Sequence, residues 1–189
     1  MTSGRRLSQA IAEGDGISVI AIVPDAASAR AAEAQGAEAV AILAGVPGLR
    51  DATSLPVLSL GDATPEDADA CLLRVEDAED DLESHQGDLT AAGFECVVDV
   101  HTEDELQLAL ERIEPEIFLI SPRAADDDEE EIDRVLELLP DVPAGKLVIA
   151  DLQSADRDTV AALERAGFDA VLVRSGSVGE LVGAEPPSV

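Results

Sequence analysis

The chain has 189 residues, of which 41 are Asp or Glu and 12 are Lys or Arg, and its formal net charge is -29. This length suits one domain with a hydrophobic core, and the acidic excess argues against nucleic-acid binding, which requires a basic surface. No apolar run reaches the roughly 18 residues of a membrane span, and the first residues lack the apolar segment of a secretory signal. We therefore expect a cytoplasmic protein without membrane or nucleic-acid partners.

The acidic residues are spread along the chain, and Lys146 is its only lysine. Self-repulsion at this net charge weakens a compact state until salt screens it. Abundant carboxylates with almost no lysine are typical of proteins from salt-in halophiles, such as haloarchaea, and we expect such a source. Cys71 and Cys96 both fall in predicted strands, which indicates buried, reduced thiols.

Three segments repeat one pattern, a helix end followed by a glycine and an apolar strand, at Gly36, Gly93 and Gly167. A glycine ends a helix because it adopts the left-handed conformation without strain. An apolar run with little polar alternation is typical of a parallel strand covered on both faces. The repeated unit therefore predicts an α/β fold.

In chain order, the first fourteen residues predict a leading helix, with Leu7 and Ile11 on one face. Eight strands are predicted after it, at residues 17–23, 39–44, 56–60, 70–75, 94–100, 117–121, 146–152 and 170–173. The intervening helices are predicted at 26–35, 64–67, 77–92, 102–112, 129–139, 156–166 and 179–183. The helix over 77–92 is expected to be irregular around Gln86 and Gly87, and Ser154 is expected to cap the helix over 156–166.

Eight strands that alternate with helices predict an α/β fold, a compact (β/α)8 TIM barrel with a short N-terminal helix. A doubly wound open sheet is the alternative, but no Gly-x-Gly-x-x-Gly follows the first strand, where a dinucleotide-binding sheet needs it. We expect a helical extension over residues 1–16, a single barrel domain over 17–183 and a disordered tail over 184–189. No Cys/His spacing or Walker loop indicates a metal or a cofactor, and we expect none.

From the fifth predicted strand onward, the chain resembles the indole-3-glycerol-phosphate synthases, which are barrel enzymes of tryptophan biosynthesis. The most specific segment is Val-Asp-Val-His-Thr-Glu-Asp-Glu-Leu, which begins at Val98. Two further segments carry the resemblance, Leu-Val-Ile-Ala-Asp from Leu147 and the stretch from Ala162 to Arg174. The resemblance implies a phosphate-binding barrel.

The working lysines of that family have no counterpart here. The family uses a Glu and a Lys after strand one and a catalytic Lys after strand three, where this chain reads Ile22-Val23-Pro24 and Leu60-Gly61-Asp62. Lys146 lies at the start of predicted strand seven, at the opposite end of a barrel from the expected site. Ring closure and dehydration call for a cationic acid at the substrate, so we expect a chain that does not perform that reaction.

The resemblance also implies positions for the other functional residues. Asp99 matches a Glu of strand five, and Ser121 with Arg123 matches an Asn and an Arg of strand six. Asp151-Leu152 matches a Glu-Ser pair of strand seven. The phosphate-binding glycine after strand seven falls on Gln153, and the Gly-Ser after strand eight falls on Arg174-Ser175.

Chemistry in such barrels lies at the carboxyl ends of the strands. We predict Asp99 and Asp151 there as an acid and a base, with an anion held by Ser121, Arg123, Arg174, Ser175, Gly176 and Ser177. Each assignment has an alternative. Asp99 could form an ion pair with Arg74 on the neighbouring strand, His101 could cap the next helix, and the segment from Arg174 to Ser177 could be an ordinary turn.

The leading hypothesis is a synthase-like pseudoenzyme that has lost the lysine chemistry and binds a small phosphorylated or carboxylated ligand. The first alternative is an active lyase or isomerase that acts on a sugar-phosphate-like substrate with Asp99 and Asp151 as acid and base. The second alternative is a protein-interaction scaffold, with a protein partner or a second copy of the chain.

Overall fold

A computed structural model describes residues 5–14, 16–61, 66–78, 81–122, 128–153, 155–173 and 178–181. Within these ranges, the strands are β1 (Ser18–Ile22), β2 (Ala39–Ile42), β3 (Val57–Ser59), β4 (Ala70–Arg74), β5 (Glu95–Val100), β6 (Ile117–Ile120), β7 (Leu147–Leu152) and β8 (Ala170–Val173). They form a closed barrel in chain order. The predicted (β/α)8 barrel is confirmed.

The described helices are α1 (Arg6–Glu13), α2 (Ala26–Ala34), α3 (Leu49–Ala52), α4 (Val75–Ala78), α5 (Leu82–Ala91), α6 (Glu103–Arg112), α7 (Asp128–Leu138), α8 (Arg157–Ala166) and α9 (Val178–Leu181). A short 3-10 helix, Leu139–Asp141, continues α7. No helix in the described part of the chain has the length and apolar character needed to cross a membrane.

Closure of the barrel depends on parallel pairing between its first and last strands. β1 pairs with β8 from Ser18 opposite Ala170 to Ala21 opposite Val173. An open doubly wound sheet leaves its edge strands unpaired, so this pairing excludes the alternative. The strands run parallel throughout, and their carboxyl ends therefore meet at one end of the barrel.

The strand residues alternate between two apolar cores, as expected for a barrel covered by helices. The inner core contains side chains such as Ile20, Leu58 and Leu172, and the outer core packs the strands against the helices. Leu7 and Ile11 of α1 belong to the inner core. The N-terminal helix thus covers the end of the barrel at which the strands begin.

Asp69, which immediately precedes β4, is the main polar connection at this end of the barrel. Its carboxylate is 4% exposed and accepts hydrogen bonds from Arg6 at 3.0 Å, from Arg50 at 2.6 Å and from the backbone N–H of Val57 at 2.8 Å. Glu95 adds a second connection by accepting from the backbone N–H groups of Leu7 and Ser8, in the first turn of α1. These contacts attach α1 and α3 to the barrel and link the start of β3 to the start of β4.

Two local predictions are wrong. Asp156 caps α8 by accepting from the Thr159 N–H at 2.8 Å, whereas Ser154 was expected to be the cap and lies outside the described residues. Helix α5 runs without a break through Gln86 and Gly87. A glycine inside a helix costs only about 1 kcal/mol, which packing elsewhere in the helix offsets. Of the short helix predicted at 64–67, residues 64 and 65 lie outside the described residues, and Glu66 and Asp67 belong to no helix.

The two cysteines occupy the predicted strands. Cys71 of β4 lies opposite Cys96 of β5 in the parallel ladder, and neither forms a disulfide. Burial raises the pKa of the Cys96 thiol to about 12, and the neighbouring Cys71 thiol adds to this rise. The Cys96 thiol is therefore a weak nucleophile at neutral pH.

Replacing Asp69 with Ala should lower the free energy of unfolding by about 3 kcal/mol, because Arg6, Arg50 and a buried N–H lose one shared acceptor. Urea unfolding in molar KCl measures this change. The matched control is Glu116→Gln, which removes a carboxylate from an exposed pair with Arg5 and should have a much smaller effect. Equal effects of the two variants would contradict the structural role assigned to Asp69.

Replacing Ser18 with Ala should raise the free energy of unfolding by about 1 kcal/mol, because a buried hydroxyl without a partner is costly. Ser18 is 0% exposed, and its hydroxyl has no hydrogen-bond partner among the described residues. The control, Ser54→Ala, removes a hydroxyl that donates to Glu33 and should lower stability. A loss of stability in Ser18→Ala would show that its hydroxyl has a partner in solution.

Candidate active site

A cavity of about 470 Å³ opens at the carboxyl ends of the strands, on the side of the barrel opposite α1. Its lining contains both apolar and polar side chains. The apolar ones are Leu43, Leu60, Leu72, Leu119 and Pro122. The polar ones are Arg74, Asp99, His101, Ser121, Glu131, Asp151 and Gln153.

The floor of this cavity is a hydrogen-bonded set contributed by three consecutive strands. The Ser121 hydroxyl, just after β6, lies 2.8 Å from Asp99 Oδ1 of β5 and 3.2 Å from Asp151 Oδ2 of β7. One hydroxyl proton can serve only one carboxylate at a time. Both contacts can be hydrogen bonds at the same time when one carboxyl group is protonated and donates to the Ser121 oxygen, while the Ser121 hydroxyl donates to the other. The geometry therefore favours one carboxyl proton held between Asp99 and Asp151.

The Asp99 carboxyl group is shifted toward its protonated form. Burial raises the pKa of Asp99, and the nearby Asp151 charge raises it further. His101, the Ser121 hydroxyl and Arg74 oppose this shift but do not cancel it. A buried carboxyl group with a raised pKa beside a second carboxyl group is an arrangement typical of acid–base sites.

His101 faces the cavity and does not cap the next helix, which was the alternative considered for it. The α6 cap is Thr102, whose hydroxyl accepts from the Glu105 N–H at 3.2 Å. The His101 ring is held by a contact of 2.9 Å between Nδ1 and the Ser121 carbonyl, so Nδ1 carries a proton. Its Nε2 lies 3.7 Å from Asp99 and 3.8 Å from Glu76. His101 therefore lies between two carboxylates.

Arg74 stands opposite Asp99 in the β4–β5 ladder, as the sequence suggested. Its guanidinium donates to the Leu60 carbonyl at 2.6 Å, which attaches it to the end of β3. Its charge lowers the pKa of Asp99, but it is the smallest of the contributions named above. Arg74 thus places a fixed positive charge in the lining of the cavity, on the strand next to Asp99.

Two acidic residues of this site, Glu131 and Glu76, were not predicted. Glu131 of α7 is buried, and its carboxylate accepts from the Gln153 N–H at 3.1 Å. Glu131 lies four residues before Val135, on the helix face that packs on the barrel. An acidic residue on this otherwise apolar face is the sequence feature that could have identified Glu131 as a site residue. Glu76 is the second residue of α4, and no sequence pattern distinguishes it from the other acidic residues.

Several predicted site residues lie outside the part of the chain that the structure describes. They are Arg123, Arg174, Ser175, Gly176 and Ser177. Of the predicted site, the structure therefore brings together Asp99, Ser121 and Asp151. Among the described residues, no group of three His, Cys, Asp or Glu side chains is arranged to hold a metal ion.

The resemblance would place a lysine just after β3. Leu60 follows that strand and lines the cavity. Gly61 follows it, and a Cβ at this residue would come within 2.2 Å of the Leu43 carbonyl oxygen, so the close approach of the β2 and β3 ends requires glycine. Lys146 immediately precedes β7, at the opposite end of the barrel.

A closed parallel barrel with a polar cavity at the carboxyl ends of its strands defines the class of (β/α)8-barrel proteins. The family model described as "Indole-3-glycerol phosphate synthase" matches residues 58–179 of this chain. The chain therefore belongs to the indole-3-glycerol phosphate synthase family. The match begins within β3, two strands earlier than the resemblance seen in the sequence.

Curated relatives agree with this assignment. An indole-3-glycerol phosphate synthase from Acidithiobacillus ferrooxidans is 34% identical over 134 residues, which cover 66% of this chain and 51% of the relative. One from Shouchella clausii is 30% identical over 81 residues, which cover 43% of this chain and 32% of the relative. The chain thus spans about half the length, or less, of these relatives.

Replacing Asp99 with Asn should stabilise the protein increasingly as pH rises from the unfolded-chain value of 3.8 through the raised pKa of Asp99. The folded state holds the Asp99 proton to higher pH than the unfolded chain, whose ordinary value is 3.8, so its ionisation lowers stability as pH passes through the raised pKa. Asn keeps an acceptor for Ser121 and removes this loss. Urea unfolding of both proteins across this pH range measures the difference.

Asp25→Asn is the control of opposite sign. The Ser28 N–H donates to Asp25 and lowers its pKa, so its contribution to stability is present above 3.8 and is lost as pH falls through the lowered value. This variant should be less stable than the wild type over the same range. A pH-independent difference for Asp99→Asn would contradict the raised pKa.

Proposed function

We propose that this chain is a member of the indole-3-glycerol phosphate synthase family that does not perform the lysine-dependent synthase reaction, and that its cavity binds a small metabolite. The observation that carries the proposal is the aliphatic character of the positions expected to hold lysine. Leu60 lines the cavity, Ile22 packs against the inner core, and Lys146 lies at the other end of the barrel.

The remaining polar residues support binding without that reaction. Asp99, Ser121 and Asp151 form a preorganised, buried floor, and His101 is held in place by the Ser121 carbonyl. None of these groups replaces the permanent positive charge of a lysine beside the substrate. The proposal therefore separates the binding function of the barrel from the family reaction.

An active enzyme of different specificity is the second candidate. It is favoured by the Asp99 carboxyl group, which has a raised pKa and shares the Ser121 hydroxyl with Asp151. In this candidate Asp99 donates a proton and Asp151 accepts one, in a lyase or isomerase reaction on a sugar-phosphate-like substrate. Loss of such an activity in Asp99→Asn would favour it over the binding protein.

The anionic part of the ligand is proposed from the sequence. Arg174-Ser175 matches a position at which the family resemblance expects phosphate contacts, and Arg123, Gly176 and Ser177 are predicted to bind the same anion. We also propose, from composition, a cytoplasmic protein that is stable at high salt. A thermal-shift screen in molar KCl with inorganic phosphate and sugar phosphates tests the anion site and the stability at high salt. Arg174→Ala is the variant that should remove any stabilisation by these anions.

The synthase reaction itself provides the decisive assay. Supplied with the substrate of the Acidithiobacillus relative, this chain should form indole-3-glycerol phosphate at least about 1,000-fold more slowly than that relative, because the positions expected to hold the acid–base lysines are aliphatic. Indole fluorescence follows the product without background, because the chain contains no Trp.

Lys146→Ala is the control and should leave ligand binding and folding unchanged. Synthase activity comparable to that of the relative would overturn the proposal. If that activity were lost in Lys146→Ala, the error would lie in the placement of the lysine relative to the cavity.

A further inference from the structure

We propose that Cys71 and Cys96 together bind a single soft, thiolate-preferring metal ion such as copper(I), which their two sulfurs hold between neighbouring strands. This site lies at the end of the barrel where the strands begin. The candidate active site lies at the other end and shares no residue with it. The inference therefore goes beyond the proposed function and does not depend on it.

The register of the barrel brings the two cysteines together. Cys71 of β4 and Cys96 of β5 are direct partners in the parallel ladder. The flanking Ala70 and Leu72 pack in the inner core, so the Cys71 side chain points outward. Cys96 packs against the outer core, on the same face of the strands. Because neighbouring strands are about 4.8 Å apart, the two thiols lie side by side beneath α5.

This spacing suits two metal–sulfur bonds in a line better than it suits a disulfide. A thiolate binds a metal ion such as zinc at about 2.3 Å, so two bonds of this length span roughly 4.6 Å, close to the strand spacing. A disulfide needs Cβ atoms about 3.8 Å apart and would draw the strands together. The two thiols form no disulfide in the structure. The ladder thus holds them at the separation of a two-coordinate metal site.

The surroundings of the pair favour a metal complex over free thiolates. Burial raises the pKa of the Cys96 thiol, and the Cys71 thiol adds to this rise, so the two groups are close enough to interact. An ion that binds both sulfurs takes the place of the two thiol protons, which pass to solvent. Its positive charge offsets the negative charge that burial disfavours. The bound ion thus stabilises the deprotonated form of the pair.

A cavity of about 270 Å³ at the amino ends of the strands gives an ion access to the pair. Cys96 lines this cavity together with Gln86 and Thr90 of α5. Cys96 is partly exposed, whereas Cys71 is 4% exposed. An ion that enters the cavity therefore reaches Cys96 first and Cys71 behind it.

The other groups near the pair select against metals that need more ligands. The described lining of this cavity contains three further carboxylates, Glu95, Glu114 and Glu116. Glu95 accepts from the backbone of α1, and Glu116 pairs with Arg5. Among the described residues, no three possible ligands are arranged around one ion, so zinc, which takes four ligands in structural sites, is poorly matched. Soft thiolates select copper(I), for which two sulfurs in a line are sufficient.

Anaerobic titration of the reduced protein with copper(I), in competition with a chromophoric copper(I) chelator, tests the site. The protein should bind one copper(I) per chain. X-ray absorption at the copper edge should show two sulfur neighbours. This count is made on the wild-type protein, so it decides the question even if a cysteine variant does not fold.

Cys71→Ser and Cys96→Ser should each weaken copper(I) binding by at least about 100-fold, because each variant loses the gain from joining two ligands in one site. The control is His85→Gln, which removes another possible copper ligand from an exposed position of α5. Its copper(I) affinity should equal that of the wild type. Circular dichroism establishes that each variant is folded.

Absence of copper(I) binding would overturn the inference, as would a count of one sulfur or of three or more. Unchanged affinity in either folded cysteine variant would also overturn it, because the ion would then be bound elsewhere. Loss of binding in His85→Gln would do the same. Each of these results leaves the proposed loss of synthase activity intact, because that proposal concerns the opposite end of the barrel.

Discussion

Parallel pairing between β1 and β8 is the constraint on which the rest of the structure depends. It closes the barrel, and closure requires the inward side chains to fill a narrow interior, which Ile20, Leu58 and Leu172 do. It also brings the carboxyl ends of all eight strands to one end. Asp99, Ser121 and Asp151 are far apart in the sequence and meet only because β5, β6 and β7 are consecutive strands of this barrel.

The two ends of the barrel serve different purposes. At the end where the strands begin, Asp69 gathers two arginines and a backbone N–H, and α1 covers the inner core. Its charges are paired, so this end stabilises the fold. At the other end, Asp99 is buried beside a second carboxyl group, which disfavours its ionised form. Such a cost is expected where a site is arranged for a ligand or a reaction, because stability and function place opposite demands on buried charge.

The sequence predicted the barrel well, and the reasons are local. Apolar strands covered on both faces and glycines at helix ends are encoded by neighbouring residues, and Gly36, Gly93 and Gly167 all adopt positive φ angles in the structure. The errors arose where two local solutions compete. Asp156 was as good a cap as Ser154, and Gly87 is tolerated in a helix when the helix is held by packing elsewhere.

The amino-acid sequence by itself determined the order of strands and helices, the high negative charge, the family resemblance and the position of the only lysine. These features depend on residue type and spacing along the chain. Only the tertiary structure decided that His101 lies between Asp99 and Glu76, that Glu131 enters the cavity, and that the Ser121 hydroxyl lies between two carboxyl groups. The reason is physical, because the strands that become neighbours when the barrel closes determine which side chains are buried and how far apart their charges lie. Burial and the distance between charges in turn govern the protonation and the charge of the site.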